Sequence, residues 1–392
     1  MKLYPGLAVL FLLAAFHTPP PAAGAEADKA ASPARELCQF QMDKNYGYAD
    51  ASGKMIVPPI YAIARDFSEN GLAAVALWNE KQTKLKFGFI NSKGEMLIPP
   101  VYDYAGSFGP FGLAPVGSGI KHGYINEKNE IAIPLKFGHT MEFSPNGLAA
   151  VHKKGWIPGM PGAAGYIDLK GDFAIKPAYT LAYSFAANGL ARVEKGKKCF
   201  YINAQGETVI PPGFAACQDF APNGLAGVKI SSTQAWGFID SQGWLAIKPE
   251  YSYVRQFNVD GLARVSKNHR NFFINERGEE SPEPPMASPE LAAMAVGDFA
   301  ANGLARVSDS ARSGYINRQG ELVIGLLFDH GKDFAPNGLA MVRTGLKWAL
   351  INSEGAVLFK EDLACGRPVL KNSAGEVIWP ENFQSPCPQS VE

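Results

Sequence analysis

Short runs in which apolar and polar residues alternate recur along most of the chain, and each run ends at Gly, Asn or Pro. A first segment reads GFINSKGEMLIPP from Gly88 and GYIDLKGDFAIKP from Gly165. A second segment follows, reading SPNGLAAV after Phe143 and AANGLARV after Phe185. A period of two, interrupted by turn residues, is typical of short strands and not of helices. The pattern therefore predicts an all-β protein.

This pair of segments is present in eight complete copies. The first segments begin at Gly47, Gly88, Gly123, Gly165, Phe200, Gly237, Phe272 and Gly314. In seven copies the distance from the third residue of the first segment to the Leu of GLA is 23 residues, and the basic period is 35 residues. The longer connections at 76–86, 152–163 and 229–235, and the Pro-rich stretch 281–289, leave the repeat in register. We therefore expect them to be surface loops.

Each copy reads as about three short antiparallel strands. A turn of the type Asn91-Ser92-Lys93-Gly94 joins the first two strands, and an Asn-Gly turn precedes the GLAxV strand. Such a unit is too small to bury its apolar residues alone, so neighbouring units must stack. An open β-solenoid or superhelix and a closed β-propeller-like ring both satisfy this requirement. A propeller blade normally has four strands and about 40–45 residues, so the shorter period favours the open form.

The pattern G-[YF]-I-[ND]-x-x-G-x-x-x-I-x-P followed by F-x-x-x-G-L-A-x-V resembles the WG-repeat family, also called KWG repeats, of mainly bacterial proteins. The resemblance covers residues 46–359. The Trp-Gly pair itself occurs only as Trp236-Gly237, and Phe200 and Phe272 replace the Gly in two copies. The resemblance implies a repeat scaffold for binding or assembly, without common catalytic residues.

The two ends of the repeat region differ from its middle. A ninth copy opens at Trp348 but has no GLA segment, and residues 370–377 read as a further hairpin. We expect residues 360–392 to form a C-terminal hairpin cap and residues 26–45 to be a leader. Terminal repeats usually need such a cap.

The first 25 residues have the features of a secretory signal peptide. Lys2 precedes an apolar run of ten residues, 7–16, and Ala23-Gly24-Ala25 supplies the small residues of a cleavage site. The run is about half the length that a membrane-spanning helix needs. We therefore predict cleavage near Ala25, a periplasmic or secreted protein, and no membrane span.

Five cysteines in an exported chain make disulfides possible and leave one thiol over. Cys199 with Cys217 and Cys365 with Cys387 are the pairs to test, because each pair lies within one structural unit. Cys38 is then the unpaired residue. Isolated buried thiols are an equally good interpretation, and no CxxC spacing indicates a metal.

The charges do not indicate a polyanionic partner or a cofactor. Lys+Arg and Asp+Glu number 37 each, which argues against nucleic-acid binding. No phosphate-binding glycine motif or metal-ligand cluster is present. His122 and His139 belong to one unit, but ordinary sheet histidines are the better interpretation. Acidic residues before the repeat Phe and the Arg of GLA-Arg-Val, as in Arg192 and Arg306, predict rows of ion pairs on a solvated face. Periodic charges argue against catalysis, so we expect no enzyme and no cofactor.

Tryptophans that break the repeat are the candidate binding residues. Trp78 and Trp156 lie in the two long insertions, and Trp244 departs from its equivalents in other copies. Aromatic side chains in surface loops suit contacts with sugars or proteins, although they also serve to cover an edge strand. The sequence thus predicts an exported repeat protein that acts through protein–protein contacts or on an envelope component. The alternative is a module that binds carbohydrate or cell-wall glycan through Trp78 and Trp156.

Overall fold

The computed structural model describes residues 37–42, 44–79, 81–155, 161–230, 234–258, 260–281, 291 and 294–383. The regular elements bounded in these residues are 36 β-strands, arranged in antiparallel sheets. The all-β tandem repeat is therefore confirmed. No helix in the described residues has the length and apolar character needed to cross a membrane.

The strands form nine consecutive units, which we number along the chain. Unit 1 contains β1 (Cys38–Met42), β2 (Asn45–Ala49) and β3 (Met55–Tyr61). Unit 2 contains β4 (Ile63–Ala64), β5 (Leu72–Trp78), β6 (Leu85–Asn91) and β7 (Met96–Tyr102). Unit 3 contains β8 (Tyr104–Ala105), β9 (Leu113–Ser118), β10 (Lys121–Asn126) and β11 (Ile131–Phe137). Unit 4 contains β12 (His139–Thr140), β13 (Ala149–Lys154), β14 (Pro161–Ile167) and β15 (Phe173–Tyr179).

Units 5 and 6 share a strand and form one seven-stranded sheet. This sheet contains β16 (Leu181–Phe185), β17 (Ala191–Lys195), β18 (Lys198–Ile202), β19 (Thr208–Cys217), β20 (Ala226–Ile230), β21 (Trp236–Ile239) and β22 (Leu245–Tyr251). The long strand β19 pairs with β18 of unit 5 and, through its C-terminal half, with β20 of unit 6.

The last three units complete the array. Unit 7 contains β23 (Tyr253–Val254), β24 (Ala263–Lys267), β25 (Arg270–Ile274) and β26 (Glu280–Ser281). Unit 8 contains β27 (Ala295–Val296), β28 (Ala305–Ser308), β29 (Ser313–Ile316) and β30 (Leu322–Phe328). Unit 9 contains β31 (His330–Gly331), β32 (Ala340–Thr344), β33 (Lys347–Ile351), β34 (Val357–Ala364), β35 (Arg367–Asn372) and β36 (Val377–Trp379).

Most units have four strands, one more than the sequence pattern predicted. The additional strand is usually only two residues long, lies first in the unit, and pairs with the GLAxV strand, as β4 pairs with β5. We call it the inner strand. Two residues are too few to produce a visible alternation, so this strand was missed. Because it adds so little length, a four-stranded unit fits a period of 35 residues.

Local polar contacts explain why each hairpin turns where it does. In unit 2 the Asn91 side-chain oxygen accepts hydrogen bonds from the backbone N–H groups of Lys93 and Glu95, each 3.0 Å long. Gly94 has a φ of 83°, a conformation that disfavours residues with a Cβ atom. Gly88, the Gly of the repeat, lies against the carbonyl oxygen of Ile98, and a Cβ there would collide with it. The repeated Asn and Gly residues thus meet backbone requirements.

Consecutive units pack through one recurring aromatic contact. The ring of Tyr166 in unit 4 lies 4.9 Å from the ring of Phe185 in unit 5, and its hydroxyl donates to the Tyr183 carbonyl at 2.8 Å. The same hydroxyl bond to a carbonyl 17 residues later is made by Tyr48, Tyr124, Tyr201 and Tyr315. Burial of these rings is stabilising because each hydroxyl keeps a partner.

The first and last units also contact each other. The rings of Phe40 in unit 1 and Phe359 in unit 9 are 4.8 Å apart, and both belong to a core cluster with Leu339 and Leu350. Of the two arrangements that the repeat allows, this contact agrees with the closed one, because an open solenoid leaves its terminal units apart. β1 lies within the stretch predicted as a leader, 26–45, so regular structure starts earlier than expected. The signal was the inward alternation of Cys38, Phe40 and Met42.

Candidate functional site

Unit 1 lacks an inner strand among the described residues. Phe40 in β1 pairs with Gly47, just as Val75 in β5 pairs with Gly88. β1 is therefore the counterpart of β5, and unit 1 starts one strand later than unit 2. The position that β4 occupies beside β5 has no described strand beside β1.

A cavity of about 790 Å³ lies at this position, between unit 9 and unit 1. We call it the seam groove and define it by its apolar and polar linings. Its apolar lining includes Cys38, Phe40, Phe67, Leu339 and Met341. Its polar lining includes Gln39, Asp66, Lys332 and Asp333. Pockets of this volume with mixed lining are typical of ligand sites.

The carboxylates of the groove have different partners. Asp333 accepts a hydrogen bond from the Arg306 guanidinium at 3.1 Å, and the same pair recurs between Arg192 and Asp219 at 2.9 Å. At the junction of units 1 and 2, Gln39 stands in the place of the Arg and donates to Asp66 at 3.0 Å. The predicted ion pairs thus form between units, but between units 1 and 2 a neutral amide replaces the cation.

Cys38 is a free thiol in the wall of the groove. Burial raises the pKa of Cys38 to about 12, the Asp66 carboxylate adds to this effect, and Lys332 opposes it. The thiol is therefore protonated at neutral pH and is a poor nucleophile.

Three histidines form a row in units 3 and 4. The ring centroids of His122 and His139 are 5.7 Å apart, and those of His139 and His152 are 5.9 Å apart. Burial lowers the pKa of His122 and of His139, and each has a further lowering contribution from its histidine neighbour. Among the described residues, no group of three or more His, Cys, Asp and Glu is arranged to hold a metal ion. The sequence analysis assigned His122 and His139 to one unit, whereas they lie in the neighbouring units 3 and 4. Their approach favours the neutral form of both rings.

The candidate tryptophans do not form one surface. Trp78 ends β5 and is 53% exposed, whereas Trp244 lies in the turn between β21 and β22 and is 74% exposed. Trp78 pairs with Leu85 at the start of β6. Trp244 follows the end of β21, which is the counterpart of β6 in unit 6. The two indoles therefore lie at opposite strand ends in units 2 and 6. Trp156 lies outside the described residues.

Two disulfide pairs are predicted from the sequence. Cys199 in β18 and Cys217 at the end of β19 are disulfide-bonded, with an S–S distance of 2.07 Å. Cys365 is also disulfide-bonded. Cys387, its predicted partner, lies outside the described residues.

The seam groove was missed by the sequence analysis. Its residues come from β1 and β2, from the loop after β4 and from the chain between β31 and the start of β32, which are distant along the chain. The available signal was that the strand at Cys38–Met42 is not preceded by the repeat Phe and Asn-Gly turn found before the other GLAxV strands.

Comparison with known proteins identifies the family of the repeat. The family model described as "WG containing repeat" matches seven stretches that together cover more than half of the chain. The matched stretches are 46–80, 87–117, 123–155, 165–199, 200–232, 236–268 and 314–348. Among curated protein sequences, none matches this chain.

Solved structures resemble the chain only distantly. A eukaryotic initiation factor has a TM-score of 0.48 at 11% identity, with 70% of this chain and 81% of that chain covered. Porphyromonas gingivalis dipeptidyl peptidase 4 has a TM-score of 0.44 at 8% identity, with 88% of this chain and 63% of that chain covered. Apo AztD from Citrobacter koseri has a TM-score of 0.38 at 11% identity, with 83% and 93% covered. At this distance these structures indicate nothing about function.

Proposed function

Because the chain belongs to the WG containing repeat family, we propose that it is an exported, non-enzymatic repeat protein that binds another protein through the seam groove. The observation that carries this proposal is the cavity of about 790 Å³ at the junction of units 9 and 1. The described part of unit 1 has three strands there, whereas unit 2 has four. The groove thus lies where the described structure differs from the regular repeat. A specific function is expected at such a position.

The chemistry of the groove supports binding more than catalysis. Asp66 and Asp333 accept hydrogen bonds from Gln39 and Arg306, and the Cys38 thiol stays protonated. A nucleophile requires a neighbouring general base or a lowered pKa. The raised pKa of the Cys38 thiol is the opposite of the second requirement.

Export is supported by two features. The apolar run at 7–16, followed by small residues at 23–25, is typical of a signal peptide. The Cys199–Cys217 disulfide is expected in an oxidising compartment. We therefore propose a periplasmic or secreted location with cleavage near Ala25. Detection of an N-terminal Met1 on the protein isolated from cells would contradict it.

A capture experiment with the mature chain tests the binding function. The turns Phe334-Ala-Pro336-Asn-Gly and Phe220-Ala-Pro222-Asn-Gly have the same sequence, and both prolines are exposed, but Pro336 lines the groove and Pro222 lies in unit 6. Pro336→Trp therefore adds an indole at the groove, and Pro222→Trp is its matched control. We expect wild type and Pro222→Trp to retain the same envelope protein and Pro336→Trp to lose it. Equal retention by all three chains would refute the groove as the binding site.

Glycan binding is the second candidate, because Trp78 presents an exposed indole. The same chains are applied to purified peptidoglycan beside a Trp78→Ala, Trp156→Ala double variant. Retention that the double variant loses, and that Pro336→Trp keeps, would replace protein binding by glycan binding.

A further inference from the structure

We propose that β30 of unit 8 binds an extended segment of a partner protein, which pairs with the outer edge of this strand and carries a basic residue at each end. We call the outer strand of a unit the one that follows its turn of the Asn91–Gly94 type. The residues of β30 do not belong to the lining of the seam groove. The inference therefore concerns a second surface and does not rest on the proposed function.

The other full-length outer strands that end a sheet carry proline. β3, β7, β11, β15 and β22 are such strands in the described residues. Proline has no N–H, so it is tolerated at a sheet edge and hinders pairing with a further strand. Each of these strands has proline at its fourth or fifth position, namely Pro58 and Pro59, Pro99 and Pro100, Pro134, Pro177 and Pro249.

Two outer strands do have an outer neighbour, and both pair through a stretch without proline. β34 contains no proline and pairs with β35 from Phe359 to Ala364. β19 contains Pro211 and Pro212, and it pairs with β20 only beyond them, from Phe214 onward. β19 has the same register shift against the preceding strand as β30. This irregularity therefore does not prevent pairing at the outer edge.

β30 has no proline, and it ends its sheet in the described residues. Its sequence, LVIGLLF, has Gly325 where β7 and β11 have Pro99 and Pro134. β7 and β11 keep the same pairing with the preceding strand although these prolines lack an N–H. That neighbour therefore does not need the N–H at this position, and in β30 the Gly325 N–H is available to an outer strand.

The side chains beside this edge are apolar and exposed. Leu322 is 39% exposed, Val323 46% and Leu327 72%. Ile324 and Phe328 are buried in a cluster that includes residues of unit 9. The strand is thus held in place by its buried side chains while its edge is accessible. A fixed, accessible sheet edge with apolar side chains beside it is suited to recognition by strand addition.

Carboxylates at the two ends of β30 favour a basic ligand. Glu321 precedes the strand and Asp329 follows it, and both side chains are exposed. In the part of the chain that the structure describes, neither forms an ion pair, whereas Asp103, which follows β7 in the same way, pairs with Lys86 at 2.6 Å. A segment with Lys or Arg at each end places a cation opposite each carboxylate, and such cross-strand pairs are stabilising.

A second copy of this chain fits the edge less well. Antiparallel pairing of two β30 strands about Gly325 places Glu321 of each copy opposite Asp329 of the other, and like charges directly opposite are destabilising. The longer segments of the mature chain outside the described residues are unsuited to pairing by composition. Residues 26–36 contain no β-branched or aromatic residue, and residues 282–290 and 384–392 contain four and two prolines.

β35 supplies the template for a probe, because it already pairs with an outer edge. When Phe359 is aligned with Ile324, the residue opposite Arg367 corresponds to Asp329. The probe GRPVLKNSAK has the sequence of residues 366–374 followed by a lysine, which the same register places opposite Glu321. A second peptide has N-methyl groups on its Val and Leu, so that one N–H facing β30 is lost in either orientation. A third has Glu in place of its Arg and both Lys.

Each peptide carries a fluorophore and is titrated with the mature chain while anisotropy is followed. We expect saturable binding of the first peptide and at least about tenfold weaker binding of the other two, because strand addition depends on main-chain hydrogen bonds and the ends of β30 are acidic.

Two variants of the protein close the edge with residues that unit 3 already uses. Gly325→Pro and Leu327→Lys each introduce the residue that β11 has at the same position, Pro134 or Lys136. We expect each to weaken binding of the first peptide by at least about tenfold. Val101→Lys is the matched control in unit 2, where prolines already close the edge, and it should stay within about twofold of wild type. Circular dichroism checks that all three variants are folded.

The inference would be overturned if wild type did not bind the first peptide saturably, if the N-methylated peptide bound equally well, or if Gly325→Pro bound like wild type. Sedimentation of wild type as a dimer and of Gly325→Pro as a monomer would also overturn it, because a second copy would then occupy the edge. Each of these results leaves the proposed function of the seam groove untouched, since Pro336→Trp tests that site separately.

Discussion

Different side chains pack at the junction between units 4 and 5 and at the junction between units 9 and 1. At the first, Tyr166 and Phe185 stack and the tyrosine hydroxyl bonds across the junction. At the second, Phe40 packs edge-to-face on Phe359. The comparison teaches that units 9 and 1 meet through aromatic and aliphatic side chains, while a cavity remains between them.

The largest expected effect comes from breaking the regular junction. Phe185→Ala removes a ring that is 5% exposed from the cluster between units 4 and 5. Removing a buried Phe typically costs about 3–5 kcal/mol, so the urea midpoint should fall strongly. Leu346→Ala is the control, because Leu346 is 93% exposed and its loss should change stability by less than about 0.5 kcal/mol. Similar midpoints for the two variants would contradict the role of the repeat Phe.

A smaller loss is expected when only the hydroxyl of the junction is removed. Tyr166→Phe deletes the bond to the Tyr183 carbonyl and keeps the ring. The expected cost is about 1 kcal/mol, because a half-buried carbonyl loses its partner. Tyr253→Phe is the control, since Tyr253 is 52% exposed. Phe89 and Phe238 occupy the same position naturally, so the fold should be retained and only the thermal midpoint should drop.

The pH dependence of stability is expected to come from the histidines at the junction of units 3 and 4. The folded pKa values of His122 and His139 lie below the ordinary value, so the unfolded chain binds protons first as pH falls. Stability from these residues is complete above pH about 6.5 and decreases below it. His139→Gln should therefore flatten the decline of the thermal midpoint between pH about 7 and 5. An unchanged slope would show that the histidine row does not titrate in this range.

The smallest effect is expected from making the junction of units 1 and 2, beside the seam, more regular. Gln39→Arg places a guanidinium at the position from which Arg192 reaches Asp219, opposite Asp66. A partly exposed ion pair adds less than about 1 kcal/mol. The reverse change, Arg192→Gln, should lower the thermal midpoint by a similar amount. A large gain for Gln39→Arg would mean that the junction of units 1 and 2 is a weak point of the fold.

The features that recur in every unit could be predicted from the sequence. The alternation of residues, the Asn91-to-Gly94 type of turn and the repeat Phe were visible because each recurs at a constant spacing. The inner strand was missed because two residues carry no periodicity. Trp78 and Trp244 stood out as single exceptions, but their positions at opposite strand ends depend on pairing register, which composition does not reveal.

The sequence by itself determined the all-β class, the repeat and its phase, and the family, because these depend on local turn chemistry and on alternation along the chain. The tertiary structure decided that units 9 and 1 meet and that a groove lies between them. That outcome depends on the summed rotation of nine packed units, to which every junction contributes a little. No single segment encodes it, so Phe40 and Leu339 are neighbours only after the whole array has formed.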